Sequence, residues 1–117
     1  MQQILVIEDD NNILELIKEL VDMFKTYEVT LINPTQLSLE EILDNIASKD
    51  YAFIMIDHHY SEKDFTGKDI TQACNYQGPI YSISANQNEI DYCNKYIGKL
   101  EIINFFKKLY TVNEVYA

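Results

Sequence analysis

The fold is decided by the stretch ILVIEDD at residues 4–10, where an apolar run ends in a cluster of acids. Its apolar letters predict a short strand, over residues 3–7, that is covered on both faces. The carboxylates of Glu8, Asp9 and Asp10 follow directly, although like charges that lie close together repel. This arrangement indicates that something in the folded protein neutralises the acids.

Further strand-like segments alternate with helical patterns along the chain. Strands are predicted over residues 3–7, 27–32, 51–57, 78–84 and 95–98. Helices are predicted over residues 11–24, 39–46, 67–75, 86–93 and 100–110. Such alternation is typical of parallel strands joined by right-handed crossovers. The chain is therefore predicted to be an α/β protein with a doubly wound, five-stranded parallel sheet and helices on both faces.

Capping residues mark the starts of two of these helices. Asn11 or Asn12 can cap the first helix, because an asparagine side chain accepts hydrogen bonds from the first free backbone N–H groups. Ser38 and Glu41 form a capping box of the pattern S-x-x-E at the start of the second helix. Both signals support the predicted alternation of strands and helices.

Composition and charge narrow the class of protein. The chain has 117 residues, 47% of them hydrophobic, which suits a single domain over residues 1–117. No apolar run approaches the roughly 20 residues of a membrane-spanning helix, so we expect a cytoplasmic protein. The net charge of −10 argues against nucleic acid and anionic membranes as direct partners. Cys74 and Cys93 are expected to be reduced, structural thiols.

Polar side chains follow the predicted strands at their carboxyl ends. They are Glu8 and Asp9 after the first strand, Asp57 after the third, Ser84 after the fourth and Lys99 after the fifth. In parallel α/β sheets the functional site lies at the carboxyl ends of the strands, so we expect these side chains to converge there. Convergent carboxylates need a cation, and Mg²⁺ (or Mn²⁺) binds through carboxylates, waters and phosphate oxygens.

This set of residue types suits phosphoryl transfer. Asp57 is predicted to act as a nucleophile that forms an aspartyl phosphate, while the cation shields its negative charge. The Lys99 ammonium and the Ser84 hydroxyl suit the phosphoryl oxygens. Catalysis of this kind consists mostly of positioning and charge neutralisation, which a cluster at one edge of a sheet can supply.

Other assignments stay open for several residues. Asp10 suits helix capping better than metal binding. Lys95 is an alternative to Lys99 as the functional ammonium. His58 and His59 are adjacent at a strand end and are expected to point in different directions, which disfavours a zinc or copper site.

The motifs ILVIEDD, FIMID, SISA and YIGK, in this order and near these intervals, resemble the receiver domain of two-component response regulators. The resemblance covers almost the whole chain and implies a stand-alone domain with a flavodoxin-like fold and strand order 2-1-3-4-5. Members of this family accept a phosphoryl group from a histidine kinase or a histidine phosphotransfer protein, and they catalyse only their own phosphorylation and dephosphorylation. With no effector domain in the chain, the output is expected to be contact with a downstream protein target or onward phosphotransfer, and a phosphorylation-dependent dimer is a further candidate.

The resemblance assigns roles to the residues at the strand ends. The family's acid pair falls on Glu8 and Asp9, and its phosphoacceptor falls on Asp57. The metal site is then made by these three carboxylates and the backbone carbonyl of His59. The family's lysine falls on Lys99, three residues after the aromatic position.

The same resemblance identifies a switch. Its hydroxyl falls on Ser84 and its aromatic on Tyr96, for which plain packing is the alternative. His59 and Asn86 are further candidates for tuning the lifetime of the phosphate, because they can control the access of water to Asp57.

The chain departs from the family pattern in three ways. Ser61 stands at the usual proline position after the acceptor, and Gly67 comes two places late. Leu100, rather than a proline in a cis peptide, follows Lys99, and a cis bond before a non-proline residue costs about 2.5–4 kcal/mol. Positions 85–98 form a short connection, so the fourth helix of the family is predicted to be shortened.

These departures motivate an alternative of another class. The chain is then an atypical pseudo-receiver, a protein-binding module that signals without phosphate. Metal-dependent phosphorylation distinguishes the two hypotheses. A small-molecule phosphatase is disfavoured because the chain lacks the length for a substrate pocket, and a flavin carrier because no Ser/Thr-rich phosphate loop follows the first strand.

Overall fold

The chain folds into one parallel sheet. The computed structural model describes residues 1–84, 93 and 95–116, and it describes Ser84, Lys95 and residues 111–116 by their backbone alone. The strands are β1 Gln2–Ile7, β2 Tyr27–Ile32, β3 Tyr51–Ile56, β4 Ile80–Ser84 and β5 Lys95–Gly98. They are parallel and lie in the order β2-β1-β3-β4-β5. The predicted flavodoxin-like topology is therefore confirmed.

Helices connect and cover the strands. They are α1 Asn11–Phe24, α2 Leu39–Ala47, α3 Gly67–Ala73 and α4 Ile102–Tyr116, with short 3-10 turns at Pro34–Gln36 and Lys99–Glu101. The shortened helix predicted over residues 86–93 lies outside the described residues. Within the described ranges, no helix combines the length and the apolar character that crossing a membrane requires.

The sheet has a hydrophobic core on each face, because successive side chains of a strand point to opposite sides. α1 and α4 cover one face, whose buried residues are Ile4, Val6, Leu14, Ile17, Leu20, Val21, Phe53, Met55, Ile83, Ile97, Ile102 and Phe106. α2 and α3 cover the other, whose buried residues are Leu5, Ile7, Ile32, Ile42, Ile46, Tyr51, Ile54, Ile56, Tyr60, Phe65, Ile70 and Ile80. The prediction of helices on both faces is confirmed.

The caps of the first two helices confirm two predictions and correct a third. Ser38 and Glu41 form the predicted capping box, with 3.1 Å bonds in both directions. At α1 the cap is Asp10, as predicted for that residue, and not Asn11 or Asn12, since an Asp10 oxygen accepts from the Asn12 N–H at 2.9 Å. The helix begins one residue earlier than an asparagine cap would allow, so both asparagines lie inside its first turn.

The helices after β3 and β5 differ from their predicted limits. α3 ends at Ala73 rather than at residue 75, because Cys74 already has extended backbone angles. α4 begins only at Ile102, after the 3-10 turn, and runs to Tyr116 rather than stopping at residue 110. No proline or glycine follows Tyr110 in the sequence to end the helix earlier.

Candidate functional site

The acid pair after β1 lies at the carboxyl edge of the sheet. Glu8 extends the ladder, since its N–H donates to the carbonyl of Ile32 at 3.0 Å. Its side chain is fully buried, and its Oε1 accepts from the N–H of Asp10 at 3.1 Å. Asp9 is half-buried, and its Oδ2 lies 3.4 Å from the N–H of Ser61 that donates to it. The pair therefore presents one buried and one accessible carboxylate.

Asp57 reaches the same edge from β3. Its N–H donates to the carbonyl of Ile7 at 3.0 Å, which holds it beside the end of β1. Its side chain is buried, and its Oδ1 accepts from the backbone N–H of His58 at 2.8 Å. Because β1 and β3 are neighbours in the sheet, the carboxylates that follow them converge, as the sequence predicts.

Lys99 brings a positive charge to these acids. Its Nζ lies 3.4 Å from Glu8 Oε1 and 3.6 Å from Asp57 Oδ2. Lys99 begins the 3-10 turn after β5, whereas Lys95 stands at the opposite end of that strand, opposite Tyr81. Of the two candidate lysines, the structure therefore places Lys99 at the acids.

Burial and mutual repulsion shift the protonation of the site. The pKa of Glu8 is raised from 4.5 to about 8 because its carboxyl is buried and lies beside Asp57. Burial also raises the pKa of Asp57, although the His58 N–H and the Lys99 charge act against it. Burial acts to lower the pKa of Lys99, but the charges of Asp57 and Glu8 outweigh it and raise that pKa. One ammonium therefore leaves the acids incompletely neutralised.

The acids fit a hard divalent cation. Glu8, Asp9 and Asp57 each offer a carboxylate oxygen, and these oxygens lie within 4.8 Å of one another. Glu8 Oε2 is buried without a hydrogen-bond partner, which is costly for a carboxylate oxygen unless a cation binds it. Oxygen ligands of this kind suit Mg²⁺. These three residues would therefore hold the ion.

The loop after Asp57 is tied to the acceptor by backbone groups. The Tyr60 hydroxyl donates to the carbonyl of Asp57 at 2.8 Å, and the Gly67 N–H donates to the carbonyl of His58 at 2.8 Å. A Cβ at position 67 would overlap the Asp57 carbonyl oxygen, so only glycine fits there. From the sequence, Gly67 is identified only as the start of a helix and as a displaced family position. A glycine at the start of a helix was the available signal of this close approach.

The remaining predicted residues are only partly described. His59 is exposed, with its ring centroid 6.4 Å from that of the buried His58, and the role of its carbonyl stays a prediction. Ser84 lies at the end of β4 opposite Gly98, but its side chain is not described. Tyr96 is half-buried in β5, and its switching role stays a prediction. Asn86 lies outside the described residues.

A buried polar pair beside the site was not predicted from the sequence. His58 is 3% exposed, and its Nε2 lies 2.6 Å from the hydroxyl of Ser82, which is fully buried in β4. His58 was considered only as a metal ligand. His58 follows a run of buried residues, and the alternation of side chains along a strand puts it on the opposite side from Asp57. This position was the available signal that its ring enters the core.

The comparisons with known proteins show the fold. No protein-family model and no curated protein matches the chain. The response regulator TrrA of Thermotoga maritima, solved in complex with Mg²⁺ and BeF, is 22% identical with a TM-score of 0.73, over 93% of this chain and 96% of that one. A two-component response regulator of Clostridium difficile is 20% identical with a TM-score of 0.72, over 95% and 96%.

A third solved structure is matched over nearly its entire length. The CheY-like receiver domain of Methanospirillum hungatei is 16% identical with a TM-score of 0.69, and the match covers 100% of this chain and 99% of that one. At these identities the likeness establishes the architecture. The chain has the fold of response-regulator receiver domains, as its sequence motifs imply.

Proposed function

We propose that the chain is a phosphorylation-dependent switch of a two-component or phosphorelay system, with Asp57 as the phosphoacceptor. One observation carries the proposal: the carboxylates of Glu8, Asp9 and Asp57 and the ammonium of Lys99 meet at the carboxyl edge of a receiver-type sheet. These four groups come from the ends of three different strands, so only the fold brings them together. The structural likeness to receiver domains supports the same function.

In the proposed reaction, a carboxylate oxygen of Asp57 forms a bond to the phosphorus of a phosphohistidine. The phosphorus–nitrogen bond breaks, and the histidine nitrogen keeps the electron pair and takes up a proton. A bound Mg²⁺ supplies positive charge to the acids and the phosphoryl oxygens. Hydrolysis of the acyl phosphate by water returns Asp57 to its carboxylate form, which makes the switch reversible.

Lys99 is placed to bind the transferred group. Its Nζ lies 3.6 Å from Asp57 Oδ2, so a phosphoryl group formed on Asp57 lies within reach of the ammonium. This contact forms although Leu100 follows the lysine and every described peptide bond is trans. The missing proline therefore does not prevent Lys99 from reaching the site, because the 3-10 turn that starts at Lys99 keeps its side chain at the sheet edge.

The proposal includes a switch and partners. Phosphorylation draws Ser84 and Lys99 toward the phosphoryl group, and Tyr96 follows, while His59 and Asn86 control the access of water. The donor is a histidine kinase or histidine phosphotransfer protein. The output is a protein contact, including a phosphorylation-dependent dimer, or onward phosphotransfer. The net charge of −10 disfavours direct binding to nucleic acid. The proposed setting is the cytoplasm, which suits reduced thiols at Cys74 and Cys93.

The test is to incubate the protein with acetyl phosphate, with and without Mg²⁺, and to measure its intact mass. We expect a Mg²⁺-dependent gain of one phosphoryl group in the wild type and no gain in Asp57→Asn. Asp44→Asn, a matched change at an exposed aspartate of α2, is expected to behave like the wild type.

The opposite outcome favours the pseudo-receiver. If the folded wild type gains no phosphoryl group at any Mg²⁺ concentration, the acids serve a structural or binding role and the chain signals through its unphosphorylated surface. A gain that persists in Asp57→Asn would instead move the acceptor to another residue.

A further inference from the structure

The ladder between β3 and β4 stops just before the candidate site. Its residue pairs are Ile54–Ile80, Met55–Tyr81 and Ile56–Ser82. His58 lies two residues beyond the last pair, and its ring reaches Ser82 across a 2.6 Å hydrogen bond. A side-chain hydrogen bond therefore connects the two strands just beyond the last backbone pair between them.

This side-chain bond lies in the protein interior. His58 is 3% exposed and Ser82 is 0% exposed, on the face of the sheet that also buries Ile56 and Ile80. Buried polar groups are costly without partners, and a hydrogen bond in such surroundings holds its two groups firmly. An apolar side chain could fill position 58 without needing a partner, so the histidine points to a role beyond packing.

The backbone of His58 also contacts the acceptor. Its N–H donates to Asp57 Oδ1 at 2.8 Å, and its carbonyl accepts from the N–H of Gly67 at 2.8 Å. One residue therefore contacts the Asp57 carboxylate, the start of α3 and, through its ring, Ser82 in β4. A displacement of β4 would therefore act on the donor that contacts Asp57, and a displacement of Asp57 would act on β4.

We propose that His58 is a positioning residue, which couples the orientation of the Asp57 carboxylate to strand β4 through its buried hydrogen bond to Ser82. β4 ends two residues later at Ser84, the residue with the proposed switch hydroxyl. The coupling thus connects the acceptor Asp57 to β4, the strand that is expected to respond to phosphorylation. Its consequence for signalling rests on the proposed function, whereas the coupling itself does not require phosphate.

The first arm of the test needs no phosphorylation. Asp57→Asn is made in the wild type and in the Ser82→Ala background, and the changes in amide chemical shift that it causes at Ile83 and Ile97 are compared. Ile83 lies in β4 and is paired with Ile97 in β5. We expect the changes to be at least about two-fold smaller in the Ser82→Ala background, because the coupled pair is broken. Changes of equal size in both backgrounds overturn the proposal.

The second arm measures the reaction. Ser82→Ala is expected to lower the phosphorylation rate constant at saturating acetyl phosphate by about 3–10-fold, because the carboxylate is oriented less well. Rates are compared at saturating Mg²⁺, because Asp57 is also one of the proposed metal ligands and a less well oriented carboxylate is expected to bind Mg²⁺ more weakly. Ser82→Cys keeps a weak hydrogen-bonding group, so its phosphorylation rate constant is expected to lie between those of the wild type and Ser82→Ala.

The control separates positioning from stability. Ile80→Val removes one buried methylene from the same strand and the same face but leaves the His58–Ser82 bond intact. It is expected to lower stability while keeping the wild-type rate constant. A loss of rate as large as that of Ser82→Ala would overturn the positioning role. If Ser82→Ala does not fold, Ser82→Cys takes its place in both arms.

The two arms also separate this proposal from the proposed function. If the wild type gains no phosphoryl group, the proposed function fails, while the chemical-shift comparison still decides whether His58 couples Asp57 to β4. If the wild type is phosphorylated and Ser82→Ala matches it in both rate and chemical-shift response, the coupling fails and the switch remains.

Discussion

The middle of the sheet and the carboxyl edge of its strands differ in what they bury. The middle is apolar on both faces, with residues such as Ile4, Leu5 and Ile54 at 0–1% exposure. The buried polar side chains among the described residues are Glu8, Asp57, His58 and Ser82, and all four lie at or beside the edge. The first region provides stability, whereas the second holds charges that folding alone does not favour.

This difference predicts which property of the protein a substitution in each region should change. A truncation in the apolar region is expected to lower the free energy of unfolding without changing the chemistry of the edge. A change at the edge is expected to alter metal binding, pH dependence and phosphorylation more than stability. The following predictions test that separation, from the largest expected effect on stability to the smallest.

Ile17→Ala is expected to have the largest effect on stability. Ile17 is fully buried in α1 against the sheet, so truncation leaves a cavity and costs about 2–5 kcal/mol of unfolding free energy. Urea denaturation at fixed pH measures this loss. Met23→Ala on the same helix is the control, since Met23 is 67% exposed and its truncation should cost little. Equal losses in the two variants would contradict the assignment of the core.

Glu8 is expected to make stability depend on pH in the absence of metal. Its pKa rises from 4.5 in the unfolded chain to about 8 in the folded protein, so the folded state keeps a proton that the unfolded chain releases. The contribution of protonated Glu8 to the free energy of unfolding is therefore full below about pH 4.5 and is lost as the pH rises toward about 8. The loss is on the order of a few kcal/mol, and the raised pKa of Asp57 acts in the same direction.

Urea denaturation between pH 5 and 8 in metal-free buffer checks this pH dependence. Glu8→Gln is expected to flatten the decline, whereas Glu15→Gln, at an exposed position of α1, is expected to leave it unchanged. Mg²⁺ at pH 8 is expected to stabilise the wild type through binding to the folded state and to stabilise Glu8→Gln less. An identical pH profile for the wild type and Glu8→Gln would rule out the raised pKa.

Gly67→Ala is expected to disturb the edge through the backbone. Its new Cβ overlaps the carbonyl oxygen of Asp57, so α3 and the acceptor must move apart, at a cost of about 1–3 kcal/mol. Both the unfolding free energy and the phosphorylation rate should fall. Gly98→Ala is the matched control, because the nearest atom to its Cβ is the Tyr96 hydroxyl at 3.4 Å, which is an ordinary contact. A wild-type rate in Gly67→Ala would show that the acceptor tolerates the displacement.

Tyr60→Phe is expected to have the smallest effect on stability. It removes the hydroxyl that donates to the Asp57 carbonyl, which costs about 1 kcal/mol. Tyr76→Phe removes a comparable bond, 2.9 Å long, to the carbonyl of Tyr51 at the other end of β3. Similar losses of stability are expected in thermal unfolding, but only Tyr60→Phe should slow phosphorylation. If both variants slow it equally, the two ends of β3 do not differ in function.

Much of the fold could be predicted from local patterns. The strand at 27–32 and the helix at 11–24 have their predicted limits, because apolar periodicity and strand-forming residues act over short distances. The acids at the ends of β1 and β3 could also be placed at one edge of the sheet, because the carboxyl ends of parallel strands lie at the same edge. The end of α4 could not be predicted, because no proline or glycine follows Tyr110 to end the helix.

The amino-acid sequence by itself determined which strands form, in what alternation, and which acids end them. Only the tertiary structure decided that Glu8 is fully buried with a raised pKa, that Lys99 lies between two carboxylates, and that the ring of His58 reaches Ser82. The physical reason is distance along the chain. Strands and helices depend on neighbouring residues, whereas burial, charge neutralisation and buried hydrogen bonds depend on residues that come together only when the sheet is assembled.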